Sequence, residues 1–100
     1  MPTISDRTEI FGILRDPATD LSGYSVEAID EHAGTLAKKQ DEVDDSHLVI
    51  HVGPHLVGHD VVVEADVVDR IDTDEHVIHV DRIAKWVKSS PKLKDYQRAH

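Results

Sequence analysis

Histidine is the residue type whose number and spacing in this chain most suggest chemistry. Eight of the 100 residues are histidines, and His47, His51, His55 and His59 recur at intervals of four. On a helix this interval would align metal ligands along one face. The first two fall on a predicted strand, however, and the others lie in or beside a glycine–proline loop, so we do not expect all four to share a face. We therefore predict no metal site and interpret the histidines as surface or half-buried side chains.

Two alternative interpretations of the histidines stay open. A histidine-only metal site would combine the loop with His79 from a neighbouring strand of the sheet. A pH-sensitive contact is the other alternative, because histidine titrates near neutrality. Either one would make the chain a metal- or pH-responsive binding protein.

Paired carboxylates are the second group of residues that could do chemistry. General acid–base catalysis needs carboxyl groups in a cleft that shifts their pKa values. The pairs here all fall at predicted turns, where Asp binds its own backbone and the charge is solvated. There is also no Ser-His-Asp signature, phosphate-binding loop or dinucleotide fingerprint. We therefore predict no catalytic residue, no cofactor and no enzymatic activity, with a small enzyme as the third-ranked alternative. The pairs are Asp30-Glu31, Asp41-Glu42, Asp44-Asp45 and Asp74-Glu75.

Charge is distributed unevenly along the chain. The formal net charge is −9, which disfavours nucleic-acid binding because phosphates would be repelled. Residues 1–81 hold 5 basic and 19 acidic side chains, a net charge of −14, whereas residues 82–98 hold 6 basic and 1 acidic side chain, a net charge of +5. The basic segment is either a solvated helix face or an electrostatic contact to an acidic partner, such as a second copy.

The composition also bears on location. There is no cysteine, which excludes disulfides and thiolate metal sites. Charged residues interrupt the first 16 positions, so no secretory signal is predicted. No apolar run approaches the roughly 20 residues that a membrane span needs. The expected location is the cytoplasm.

Three regions are predicted along the chain. Residues 1–20 have no sustained period and would form an N-terminal arm, whose apolar patch docks either on its own chain or on another. Residues 21–91 would form the folded domain, and residues 92–100 a polar tail. Within the domain, six short runs rich in β-branched residues are predicted to be extended. One helical turn is predicted near Ala65. These runs are 24–30, 35–42, 47–52, 60–64, 69–71 and 75–80.

A helix is predicted after the last strand. Asp81 is a plausible N-cap residue, and Ile83, Trp86 and Val87 lie at the i, i+3 and i+4 positions of one apolar stripe. The helix should end before Pro91. The predicted fold is therefore mainly β: a small, partly open barrel of about six strands with a short C-terminal α-helix. The predicted core is Val26, Leu36, Leu48, Ile50, Val52, Val61, Val63, Val68, Ile71, Ile78, Val80 and Ile83.

Four stretches of the chain share their order with a known family: 23–28 with 34–36, then 47–53, 56–65 and 77–91. Together, over residues 20–91, they resemble the PRC-barrel domain. This module occurs in the H subunit of bacterial photosynthetic reaction centres and at the C-terminal end of a small-subunit rRNA maturation factor. The resemblance implies an adaptor that docks on proteins or on copies of itself, but it does not identify the partner.

The leading functional hypothesis is a self-associating protein-interaction module, most simply a homodimer. Leu56 and Val57, at the tip of the glycine loop, either are exposed anchors or fold under the barrel end. Trp86 either belongs to the core or makes a contact, since tryptophan is enriched at interface hot spots. Basic side chains of the same segment complete the candidate surface, which is Leu56, Val57, Trp86, Arg82, Lys85 and Lys88.

Overall fold

The computed structural model describes residues 3–16, 20–37, 43, 46–53 and 58–99. Within these residues the chain forms seven strands, three α-helices and one 3-10 turn, which spans Ala65–Val67 as predicted. The strands are β1 (Thr3–Ile4), β2 (Ser25–Glu27), β3 (His32–Leu36), β4 (His47–Val52), β5 (His59–Glu64), β6 (Val68–Asp72) and β7 (Val77–Val80). The helices are α1 (Arg7–Arg15), α2 (Ala84–Lys88) and α3 (Leu93–Ala99).

All seven strands belong to one mixed sheet in the order β1-β6-β7-β2-β3-β4-β5. Neighbouring strands are antiparallel except β2 and β7, which run parallel. The mainly β prediction is confirmed, but the sheet is not closed into a barrel, because the end strands β1 and β5 do not pair with each other. The outer edge of β5 is instead occupied by the chain after α2, since the Val62 N–H donates to the Pro91 carbonyl at 2.8 Å.

The main core lies on one face of this sheet and consists of aliphatic side chains. Eleven of the twelve predicted core residues are buried there, including Val26, Ile71 and Ile78, each 0% exposed. Ile83 was predicted as the twelfth, and that prediction is wrong, because its side chain is 48% exposed. Ile83 is the N-cap residue of α2, which begins at Ala84, and the buried residues of this helix that face the sheet are Ala84 and Val87.

The N-terminal residues pack on the same chain. Thr3 and Ile4 pair with Asp72 and Ile71 of β6. Helix α1 follows, and its N-cap residue Asp6 accepts hydrogen bonds from two backbone N–H groups of the first turn, which satisfies donors that the helix itself leaves unpaired. Ile10, at 0% exposure, anchors α1 in the main core.

Helix α3 covers the opposite face of the sheet, over β4 and β5. Leu93 is 6% exposed and packs with Val49 and Val62 in a second, smaller cluster. Tyr96 packs against this cluster and lies with its ring 5.3 Å from that of His47. Residues 92–100 were expected to form a polar tail, but Leu93–Ala99 form α3, which Leu93 and Tyr96 pack against the sheet.

Gly34 has a different role from the one expected of it. Its sequence context predicts a hairpin turn with positive φ, but the residue lies inside β3 opposite Val26. A Cβ atom at this position would lie 2.3 Å from the carbonyl oxygen of His51 on β4. The glycine is therefore required by the close approach of two strands. The turn between β2 and β3 is closed by the Ala28 N–H, which donates to the Glu31 carbonyl.

Candidate interaction surface

The loop after β2 holds the start of helix α2. The Ile29 N–H donates to the Arg82 carbonyl at 2.9 Å, and the Asp30 carboxylate accepts the Ala84 N–H at 2.9 Å. The expected N-cap, Asp81, does not cap the helix: the N-cap position is Ile83, which has no side-chain cap of its own. A carboxylate 54 positions earlier in the chain therefore fixes where α2 begins.

Three large apolar side chains are exposed in the described part of the chain, and all three flank this junction. Ile29 is 65% exposed, Ile83 48% and Trp86 41%. The Arg82 guanidinium lies 5.3 Å from the centroid of the Trp86 ring, in the range of a cation–π contact. Tryptophan and arginine are the residues most often found at interface hot spots. We call Ile29, Arg82, Ile83, Lys85, Trp86 and Lys88 the apolar–basic patch.

The basic side chains of the patch point away from the core. Lys85 and Lys88 are exposed, and neither forms an ion pair with any residue that the structure describes. Arg82 lies 3.6 Å from the Asp81 carboxylate and donates to the Asp81 carbonyl at 2.5 Å. Helix α2 thus presents positive charge and apolar surface together, while Ala84 and Val87 fasten its other side to the sheet.

An acidic groove borders the patch. Its volume is about 490 Å³, and it lies between the loop after β2 and strands β6 and β7. Arg70 and His79 are its basic lining residues, and Ile29 lies along its wall. The negative lining consists of Glu27, Asp30, Glu31, Asp69 and Asp81.

Glu27 has the best-connected side chain of the groove. The Ser25 hydroxyl donates to its Oε2 at 2.5 Å, and His32 Nδ1 contacts the same oxygen. Ser25 Oγ also lies 3.1 Å from His32 Nδ1. Hydroxyl and carboxylate therefore approach the same ring nitrogen, so the imidazole does not bridge them as in a Ser-His-acid relay.

The pKa of Glu27 reflects opposing influences. Burial raises the pKa, but the hydrogen bonds from Ser25 and His32 and the nearby charges of His32 and His79 together lower it below the ordinary value of 4.5. A carboxyl whose pKa is lower in the folded than in the unfolded state stabilises the fold above its unfolded pKa. That contribution is lost as the pH falls through the lower, folded value.

Replacing Glu27 with glutamine should therefore flatten the acid side of the stability profile. Between neutral pH and pH 4.5, the wild-type chain keeps the contribution of Glu27, which we expect to be under about 1 kcal/mol because the group is partly solvated. Below that range the two proteins should converge. Urea midpoints measured across pH for dilute protein would show this, with Glu75→Gln in an exposed turn as the control. Parallel profiles for wild type and Glu27→Gln would contradict it.

His51 and His76 make contacts apart from the groove. His51 on β4 faces Asp60 on β5, with Nδ1 2.9 Å from the carboxylate oxygen, and the ring of His76 packs edge-on against Tyr24. His55 and His100 lie outside the described residues. Within the described ranges, no three histidine or carboxylate side chains come together as metal ligands.

Four of the six residues predicted for the interaction surface, Arg82, Lys85, Trp86 and Lys88, lie together on or next to α2. Leu56 and Val57 lie outside the described residues. Sequence reasoning missed Ile29, which was included in a predicted strand. Its position offered a signal: it is two residues from Glu27 and thus on the opposite strand face from the core residue Val26.

No helix in the described part of the chain combines the length and the apolar character needed to cross a bilayer. Comparisons with family models, with curated proteins and with solved structures found no match to this chain.

Proposed function

We propose that this chain is a non-enzymatic protein-interaction module that associates with itself through the apolar–basic patch. The observation that carries the proposal is Trp86, which is 41% exposed although it is the only tryptophan of the chain. Its helix is fastened to the sheet by buried Ala84 and Val87, so Trp86 is presented on a rigid support. A preorganised aromatic anchor loses little conformational entropy on binding.

The neighbours of Trp86 suit the same role. Ile29 and Ile83 extend the apolar area, and burying a large aliphatic side chain contributes about 1.5–3 kcal/mol when burial is complete. Arg82, Lys85 and Lys88 surround this area with positive charge, as the polar rim of an interface does. The exposed side of the helix thus carries large apolar side chains as well as charge, which supports a surface that receives a partner.

The resemblance of residues 20–91 to the PRC-barrel domain supports an adaptor role of this kind. In that family the small β-rich module binds proteins rather than substrates. We also propose that the chain belongs to this family. The cytoplasmic location expected from the sequence stays a prediction.

The mass of the protein in solution tests this function. We expect light scattering over a range of concentrations to show a dimer that dissociates on dilution. Trp86→Ala should weaken the dimer by at least about 2 kcal/mol, roughly 30-fold in Kd, while Trp86→Phe should weaken it less. The melting temperature of the dilute proteins should change little.

Lys94→Ala provides the control for this experiment, because Lys94 is exposed on α3, which covers the opposite face of the sheet from the main core. Its dimer should have the wild-type affinity. A wild-type chain that remains monomeric at every concentration would refute self-association. A dimer that Trp86→Ala leaves unchanged would remove the patch from the interface.

A further inference from the structure

The apolar–basic patch and the acidic groove share a border on the surface. Ile29 lines the groove, and its backbone N–H is bonded to Arg82 of the patch. Asp81, another lining residue, directly precedes Arg82 in the chain. The positive surface and the negative surface therefore lie side by side.

We propose that two copies of the chain pair about a two-fold axis, with α2 of each copy seated against the acidic groove of the other. This inference rests on the proposed function and names both the partner surface and the symmetry. Two-fold interfaces use the same patch on both copies, so the patch must be complementary to itself. A positive half beside a negative half meets that requirement.

Charge complementarity supports the seating of helix in groove. Lys85 and Lys88 supply two positive charges on the helix side, and Arg82 adds a third, which also lies 3.6 Å from the Asp81 carboxylate of its own chain. The groove supplies five carboxylates against a single arginine, and so remains strongly negative. Opposed potentials of this kind steer association and select the orientation of the partner.

Adjacency of the two halves explains why a second copy suits this surface. An unrelated acidic partner would match the helix but would be repelled by the neighbouring groove. An unrelated basic partner would match the groove and would be repelled by the helix. A second copy, rotated by 180°, satisfies both halves at once, and the pair then closes without leaving either half free.

Complementary charge reversal tests the seating directly. Lys85→Glu changes the helix, and Asp69→Lys changes the groove; both side chains are exposed. Each variant alone should dimerise at least about tenfold more weakly than wild type, because its like charges meet twice in a symmetric dimer. In an equimolar mixture, a heterodimer pairs the two reversed residues at one contact and two native residues at the other. The mixture should therefore recover the dimer mass, and failure to recover it would overturn the seating.

Ile29 offers a second test, which depends on the position of the two-fold axis. A residue close to such an axis meets its own counterpart, and Ile29 lies on the border between the two halves. The chain has no cysteine, so Ile29→Cys introduces a single thiol. Mild oxidation should convert this variant to a covalent dimer much faster than Asp74→Cys, a control in the exposed turn before β7. Equal rates for the two variants would contradict the two-fold arrangement.

These experiments separate the inference from the function on which it rests. A wild-type monomer at every concentration would refute both. A dimer that Trp86→Ala weakens, combined with no recovery in the mixture and no selective cross-linking at Ile29, would leave the interaction module standing and refute the helix-in-groove pairing alone.

Discussion

Replacing Ile78 with alanine should lower the free energy of unfolding by about 2–5 kcal/mol. Ile78 is 0% exposed and lies on β7, between β6 and β2. Its register partners are Ile71 on one side and Val26 on the other, and both are also 0% exposed. Because hydrogen-bonded strands hold these neighbours in place, the cavity cannot collapse, and its cost adds to the lost burial. A domain of this size is stable by about 5–15 kcal/mol, so the loss would be a large fraction.

Ile83→Ala is the matched control, since it removes the same atoms from an exposed position five residues later. Ile83 is 48% exposed, and we expect a change within about 0.5 kcal/mol. Urea unfolding of both variants at concentrations where the chain is monomeric would measure the difference. Similar losses for the two variants would show that Ile83 is buried or that Ile78 is not.

Replacing Gly34 with alanine should have the next largest effect, a loss of about 1–3 kcal/mol. The added Cβ would lie 2.3 Å from the His51 carbonyl oxygen and 3.1 Å from Cγ2 of Ile50. The first of these atoms belongs to the backbone of β4, so no rotamer change can relieve the overlap. Strands β3 and β4 would have to move apart, which would weaken the hydrogen bonds between them.

Gly12→Ala is the control for this substitution and should act in the opposite direction. Gly12 lies within α1, and a Cβ there would meet no atom within 4 Å. Alanine in a helix is favoured over glycine by about 0.5–1 kcal/mol, so the melting temperature should rise. If Gly34→Ala were as stable as wild type, the close approach of β3 and β4 would not be the reason for the glycine.

Strands β4 and β5 were the part of the fold that local pattern predicted best, whereas the run predicted at 35–42 overlaps β3 by only two residues. In His47–Val52 and His59–Glu64, β-branched and aliphatic residues occupy every position that the sheet buries, and the observed bounds match the predicted runs to within one residue. The helical turn predicted near Ala65 is the 3-10 turn Ala65–Val67. These features depend on neighbouring residues only.

The features that sequence reasoning missed depend on residues far apart in the chain. The start of α2 is fixed by Asp30, 54 positions earlier in the chain. Ile83 was therefore assigned to the core although it is exposed, and buried Val87 was left out of the predicted core. Gly34 is explained by its contact with His51 on β4, which lies 17 residues later in the chain. The sheet order, with β2 beside β7, likewise has no local signal.

In the candidate site, too, the residues of one local segment were predictable, and the residues brought together by tertiary structure were not. Arg82, Lys85, Trp86 and Lys88 form a surface because they share one short segment, which the sequence displays. The contribution of Ile29 and the position of the groove arise from the loop after β2 folding against α2. Only the tertiary structure brings these two segments together.

The order of strands has a consequence for synthesis on the ribosome. Strands β2, β3, β4 and β5 pair with their neighbours in sequence and can assemble as they emerge. Thr3, by contrast, pairs with Asp72, and domains acquire such long-range contacts only after the later segment has been made. Residues 3–15 leave the exit tunnel before β6 has been made, so the apolar side of α1 with Ile10 stays exposed until β6 follows. We expect nascent chains that end before β6 to expose this helix to chaperones and proteases.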